Sequence, residues 1–293
     1  MMQLLQWFTA PLQNEFMVKA ILVSALVGMV CSVLSCYMTL KGWALMGDAV
    51  SHAVMPGVVI AYILKIPFAV GAFVFGVGSV IAIGFIKAKT RIKEDTVIGL
   101  VFTGFFALGL VLVSKTPSSV DLTHILFGNV LGISQADIIQ TVIISVVTLV
   151  AIAILRKDLL LFCFDPTHAR SIGLNTGVLY YILLSLLSLT AVAGLQTVGI
   201  ILIVAMLVTP GATAYLLTDN FDHMMLIAMA SGVFSSVMGT YISYHIDGAT
   251  GGCIVVLQTL LFVVAMIFAP KHGLLVRAKK HKGVSIVGTD NRK

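Results

Sequence analysis

Long apolar runs separated by short polar connections dominate the 293-residue chain. A helix needs about 20 mostly apolar residues to cross a bilayer. Nine runs qualify as candidate spans: 16–38, 49–64, 67–86, 96–114, 134–155, 178–194, 196–217, 224–244 and 251–269. The runs are too long and continuous for strands of a membrane barrel. The pattern therefore predicts an all-α polytopic membrane protein with eight to ten spanning helices, nine being the best count, and the division after Gly194 rests on the weakest break.

Composition supports the membrane interpretation. Hydrophobic residues make up 59% of the chain and charged residues only 10%, against about 25% charged residues in ordinary soluble domains. Too few charges are available to cover such an apolar chain in water, so a soluble enzyme, a disordered chain and a nucleic-acid-binding domain are excluded. Membrane lipid is the expected surrounding, and no nucleic acid is expected as a partner.

The distribution of charge predicts the orientation. The net charge of +6 falls on the residues from Lys271 onward, and the rest of the chain carries 11 basic and 11 acidic residues. We therefore divide the chain into a transmembrane domain, 1–272, and a basic cytoplasmic tail, 273–293. Because lysine and arginine favour cytoplasmic loops, the basic connections at 87–93 and 156–170 are also predicted to be cytoplasmic. The N-terminus and the 115–132 connection are then external.

The segment GDAVSHAVMPG at 47–57 places an acid and a histidine four residues apart at the edge of an apolar run. Asp48 and His52 would share one helix face, where a carboxylate and an imidazole can bind a divalent cation. An acid at the centre of a membrane helix costs about 2.5–3.5 kcal/mol on insertion scales, which favours a functional role. Two alternatives stay open: the two side chains satisfy each other, or Asp48 caps a helix at the membrane surface.

A second polar pair, His245 and Asp247, lies at the end of the penultimate run. Residues two apart do not share a helix face, so both could reach one cation only where the helix unwinds, which Gly248 makes plausible. The alternative is an ordinary polar helix end. Together with Asp48 and His52, this pair would supply nitrogen and oxygen ligands, which suit manganese, iron or zinc better than copper(I).

The polar connection FDPTHARSIGLN at 164–175 has the pattern of a short amphipathic helix. Asp165 can cap it, Pro166 suits its first turn and Gly173 can end it, while Arg170 would face solvent or a partner. A plain connecting loop is the alternative. No phosphate-binding Gly-rich loop with its lysine is found, so an active transporter built on this chain must take its energy from a partner or an ion gradient.

Three stretches, 47–57, 164–175 and VGIILIVAMLVTPGATAYLL at 198–217, together resemble the membrane permease subunit of metal-ion ABC importers, the manganese/iron/zinc chelate family. The likeness extends over residues 14–272. It implies a pair of permeases, formed with itself or with a sister chain. It also implies a cytoplasmic ATPase dimer, an extracytoplasmic metal-binding protein and a location in the bacterial inner membrane.

The resemblance also implies roles for individual residues. Asp48 and His52 match the family positions that lie in the translocation path, and His245 and Asp247 match those near the end of the penultimate span. The segment containing Asp165, Pro166, Arg170 and Gly173 would be the coupling helix that contacts the ATPase. No covalently bound cofactor is implied, because the metal ion is the cargo.

We therefore expect a permease that imports Mn²⁺ and Fe²⁺, with Zn²⁺ as the alternative ion, and whose ATP is hydrolysed by a separate subunit. A rival hypothesis is a self-contained secondary transporter or cation channel. Such transporters commonly show internal repeats with paired broken helices, and the sequence shows no such pairing.

Overall fold

The computed structural model describes residues 13–116 and 134–269, together with residues 11 and 273. Within these residues the chain is helical and has no strand. The helices are α1 Glu15–Lys41, α2 Ala44–Ala53, α3 Met55–Leu64, α4 Phe68–Lys89, α5 Glu94–Lys115, α6 Gln135–Phe164, α7 Pro166–Ser171, α8 Thr176–Val198, α9 Ile200–Leu217, α10 Phe221–Ile246 and α11 Thr250–Phe268. Eight units in the described part are long and apolar enough to cross a membrane, with α2 and α3 counted as one, and Leu202–Leu217 is a shorter apolar helix. The all-α polytopic fold is confirmed.

Helix α1 is the central element of the bundle and packs along α9 and α10. Its small residues face those of α10: a Cβ atom added at Gly28 would lie 3.0 Å from the Gly232 carbonyl oxygen. The neighbouring hydroxyls bond within their own helices, Ser32 to the Gly28 carbonyl at 2.6 Å and Ser236 to the Gly232 carbonyl at 2.7 Å. Small residues that allow close backbone approach are the usual contact between membrane helices.

The basic connections lie at one end of the bundle. Lys87 forms an ion pair with Glu94 across the α4–α5 connection, and Arg156 of α6 forms one with Asp222 of α10. At the same end, the Lys41 ammonium donates to the Phe162 carbonyl at 3.3 Å. This grouping is what the predicted orientation requires, because one cytoplasmic end should collect the basic loops.

The sequence placed the boundary between two spanning runs after Gly194, which is wrong because it comes about one helical turn too early. Helix α8 continues to Val198, and the chain breaks at Gly199, whose φ of 86° and ψ of 163° lie in a region that glycine adopts easily. Gly194 instead supports packing, since a Cβ atom there would lie 2.8 Å from Cγ1 of Ile203 on α9. A glycine in an apolar run therefore marks either a break or a close contact, and only the backbone geometry distinguishes the two.

Helix α6 also ends later than predicted. The apolar run stops at residue 155, but the helix continues through Arg156, Lys157 and Asp158 to Phe164. Charged residues can end a membrane-spanning run without ending a helix, and arginine and lysine are good helix formers once they leave the lipid. The 117–133 connection and the 274–293 tail lie outside the described residues, so their predicted positions remain predictions.

Candidate metal pathway and coupling segment

The Asp–His segment forms a broken helix. Pro56 has no amide hydrogen, so it cannot make the helical bond to the His52 carbonyl; the amide of Val54 bonds to that carbonyl instead, between α2 and α3. Glycines let neighbouring helices approach this segment. A Cβ atom on Gly47 would lie 3.2 Å from Leu207 of α9, and one on Gly57 would lie 2.6 Å from the backbone carbon of Gly71 on α4. The segment is therefore held between α4 and α9.

Asp48 and His52 share a face of α2, as their spacing predicts. Nε2 of His52 lies 3.3 Å from Oδ1 of Asp48, and the side chains are 26% and 38% exposed, respectively. Asp48 is inside the helix, which begins at Ala44 after Trp43, so the alternative of a surface cap is wrong. Because both side chains are partly exposed, the pair remains accessible from outside the chain, and a cation could bind between the carboxylate and the imidazole.

Two phenylalanines of α5 orient the histidine. The His52 ring packs edge to face against Phe102 and Phe106, with ring centroids 5.4 and 5.3 Å away. Nδ1 of His52 is buried and has no hydrogen-bond partner, so the Asp48 contact leaves the imidazole only partly satisfied. The sequence analysis missed these phenylalanines, because aromatic residues four apart in an apolar run have the pattern of ordinary packing.

The second polar pair lies elsewhere. His245 occupies the last turn of α10, where its ring packs against Tyr241 and Tyr244 at centroid distances of 4.9 and 5.4 Å. Asp247 is exposed, ends the helix at φ 49° and donates its amide to the Ser243 carbonyl. Within residues 13–116 and 134–269, no three His, Cys, Asp or Glu side chains form a group that could hold a metal. The two predicted pairs, Asp48 with His52 and His245 with Asp247, therefore do not form one metal site within the described part of a single chain.

The predicted short helix at 164–175 is confirmed as α7. Oδ1 of Asp165 accepts the amides of Thr167 and His168, both at 2.9 Å, and Pro166 occupies the first turn. Gly173 ends the helix with φ 90°, and its amide donates to the Arg170 carbonyl at 3.0 Å. Cap, proline and glycine each act as the sequence predicts.

Two contacts attach α7 to the bundle. Ala169 is buried, and Nε of Arg170 donates to Oγ1 of Thr176 in the first turn of α8 at 3.0 Å. The position of Arg170 in the sequence suggested that its side chain faces only solvent or a partner. The bond to Thr176 shows that it also binds the bundle itself. Phe164 before the helix and Ile172 after it are 78% and 57% exposed. Helix α7 is thus attached to the bundle through Ala169 and Arg170 and has exposed apolar residues at both ends.

The described chain is an all-helical multi-pass bundle. It holds a carboxylate–imidazole pair on a broken helix and carries a capped short helix at its basic end. These are the features of a membrane transport subunit. The chain belongs to the ABC 3 transport family, whose model matches residues 13–269.

Relatives and a solved structure agree with this assignment. The chain is 64% identical to the manganese transport system membrane protein MntB of Synechocystis over 98% of this chain and 94% of that protein. It is 52% identical to the chelated iron transport system membrane protein YfeD of Yersinia pestis over 92% of this chain and 90% of that protein. The structure of PsaBC from Streptococcus pneumoniae in complex with Fab superimposes with a TM-score of 0.83 at 40% identity, covering 92% of this chain and 97% of that one.

Proposed function

We propose that this chain is the membrane permease of an ATP-driven importer of Mn²⁺ and Fe²⁺ in a bacterial inner membrane, with Zn²⁺ as the alternative ion. ATP would be hydrolysed by two separate cytoplasmic subunits, and a metal-binding protein would deliver the ion from outside. The names of the relatives, which refer to manganese and chelated iron transport, support the choice of ions. Family membership supports the ATP-driven class over a self-contained secondary transporter.

The observation that carries the proposal is the Asp48–His52 pair. The pair lies within a spanning unit, where an ionisable side chain is costly unless it meets an ion, a partner or water. Its nitrogen and oxygen atoms suit manganese, iron and zinc. Among the described residues, the site in α2 has two such ligands, Asp48 and His52, whereas these ions take about four to six. A second permease that presents the same pair would complete the set, which accounts for the partial exposure of both side chains.

His245 and Asp247 would act earlier on the same route. They lie at the end of α10 opposite the Arg156–Asp222 ion pair, and the neighbouring Tyr244 accepts a 3.2 Å hydrogen bond from Asn14 just before α1. On the predicted orientation this is the external end, where a delivered ion would enter. In this proposal they are ligands of an entry site, separate from the pair in α2.

The coupling step follows from how α7 is attached. The ATPase would dock on α7, whose Arg170 binds the first turn of α8. Helix α8 in turn contacts α4, where a Cβ atom at Gly76 would touch both Ser188 of α8 and Val54 at the break of the Asp–His helix. A displacement of α7 can therefore reach the proposed ion site through a continuous chain of packed groups.

The test is the metal content of the purified permease pair, together with uptake in cells. Asp48→Asn and His52→Ala should each reduce metal affinity at least about tenfold, since even second-shell changes at metal sites cost about 10–100-fold. His223→Ala is the matched control, because His223 is exposed at the start of α10, at the basic end. Equal metal content in wild type and His52→Ala would show that His52 is a packing residue only.

Proton competition gives a second readout. A metal ligand must be a neutral imidazole, so protons compete with the metal for the site. Bound metal should therefore fall as the pH is lowered in the wild type, and stay low at every pH in His52→Ala. Binding in the wild type that does not change with pH would contradict a histidine ligand.

A further inference from the structure

An apolar groove of about 400 Å³ opens at the basic end of the bundle. Its walls come from the end of α6, the α9–α10 connection and the end of α1. The lining residues are Leu40, Lys157, Leu160, Leu161, Phe164, Tyr215, Thr218, Asp219, Phe221 and Met224. We call it the α6–α9 groove. Lys157 and Asp219 bring charges of opposite sign to an otherwise apolar surface.

The length of α6 places this groove outside the lipid. Its 30 residues extend for about 45 Å at 1.5 Å per residue, whereas the hydrocarbon layer is about 30 Å thick. The first continuous apolar run of α6 ends at residue 155 and is followed by Arg156, Lys157 and Asp158. Three consecutive charged residues are costly in lipid, so the stretch from Arg156 to Phe164 would project beyond the membrane. Phe164 and Tyr215 on the groove are 78% and 52% exposed. Large exposed apolar groups in a contiguous patch mark a protein-binding or a membrane-binding surface, and a patch beyond the lipid favours a protein.

We propose that the α6–α9 groove is a second docking element for the ATPase subunit, and that it receives an apolar or aromatic side chain of that subunit. The inference rests on the proposed function, in which the ATPase docks on α7. Continuity with α7 identifies the occupant: Phe164 forms part of the groove wall and directly precedes Asp165, the cap of α7. A protein seated on α7 therefore also faces the groove. The apolar lining suits a buried anchor side chain, and the rim charges suit a polar surround.

The groove also gives the ATPase a direct connection to the ion site. Tyr215 and Thr218 lie at the end of α9, and Leu207 of the same helix contacts Gly47, next to Asp48. An anchor held in the groove would act on α9, while α7 acts on α8. The two docking elements together would hold the broken helix from both sides during the transport cycle.

The first test compares two truncations on α6. Phe164→Ala removes a groove wall, and Ile154→Ala removes a side chain of nearly equal exposure, 77%, within the apolar part of the same helix. Binding of the purified cognate ATPase to each permease in nanodiscs should be weaker by about tenfold or more for Phe164→Ala and unchanged for Ile154→Ala. Both residues are exposed, so neither change should disturb the core. Unchanged affinity of Phe164→Ala would overturn the inference.

A photo-crosslinking amino acid then identifies the occupant. The Tyr215→p-benzoylphenylalanine variant should form an adduct with the ATPase on irradiation of the assembled complex. An adduct with lipid, an internal adduct with residues 274–293, or no adduct would each overturn the groove inference.

The same probe placed at His168 of α7 separates this inference from the proposed function. If position 168 captures the ATPase and position 215 does not, the groove inference falls and the proposed function stands. If neither position captures it, both fall.

Discussion

The closest helix crossing near the ion site allows a quantitative test of packing. Helices α3 and α4 cross at Gly57 and Gly71, where a Cβ atom added to Gly71 would overlap the Gly57 carbonyl oxygen and lie 2.9 Å from its carbon. The same atom would lie 2.8 Å from Cβ of Ala61. The obstacle is mostly backbone, which cannot move aside as a flexible side chain can. Gly71→Ala should therefore force α4 away from the broken helix that holds Asp48.

Two opposing terms set the size of the effect. Replacing glycine by alanine inside a helix stabilises it by about 1 kcal/mol, while overpacking a close contact costs about 1–3 kcal/mol. Gly78→Ala on the same helix isolates the first term, because a Cβ atom at Gly78 meets nothing within 4 Å. We expect Gly78→Ala to leave the free energy of unfolding unchanged or to raise it. The free energy of unfolding of Gly71→Ala should be lower than that of Gly78→Ala by about 1–3 kcal/mol. At about 2–4 °C per kcal/mol, their Tm values should differ by roughly 2–12 °C.

The buried cysteines supply the assay. Cys31, Cys36 and Cys163 are buried, and Cys253 is partly exposed. In a Cys253→Ser background, a thiol-reactive fluorescent dye should label the protein only as it unfolds, so labelling against temperature gives Tm for each variant. If Gly71→Ala unfolds at the same temperature as Gly78→Ala or higher, the crossing has room for a methyl group, and the argument from backbone contact is refuted.

Two further predictions concern topology and coupling. Single cysteines that replace Lys89 and His168 should react with an impermeant thiol reagent only from the cytoplasmic side. A single cysteine that replaces Ser118 should react only from outside. External labelling at position 168 would contradict both the topology and the coupling role of α7. Gly173→Leu should leave the protein in the membrane but lower ATPase stimulation at least about threefold, since a non-glycine residue at a φ of 90° costs about 1–3 kcal/mol and would distort the end of α7. Normal transport with unchanged stimulation would contradict that role, and Gly99→Ala, at an open position, is the control.

Local chemistry determined what the sequence alone could predict. The apolar runs predicted the spanning helices, because backbone groups in lipid must bond within a helix. The spacing of Asp48 and His52 predicted their shared face, and Asp165 and Gly173 predicted both ends of α7. These features depend on interactions within about four residues along the chain, which the order of residues specifies directly.

Contacts between distant segments decided the rest. Lipid is as apolar as a protein core, so a membrane helix shows the same apolar pattern whether it faces lipid or protein. In the apolar 18-residue window of Ala44–Leu64, 72% of the residues are buried, against 17% in the corresponding window of α11, although both are apolar spans. For the same reason, the contact of Phe102 with His52 and the separation of His245 from Asp48 became visible only in the folded bundle. The sequence predicted a break after Gly194, whereas in the bundle Gly194 packs against α9 and the break lies at Gly199. Backbone geometry and neighbouring helices, and not composition, decide what a glycine does.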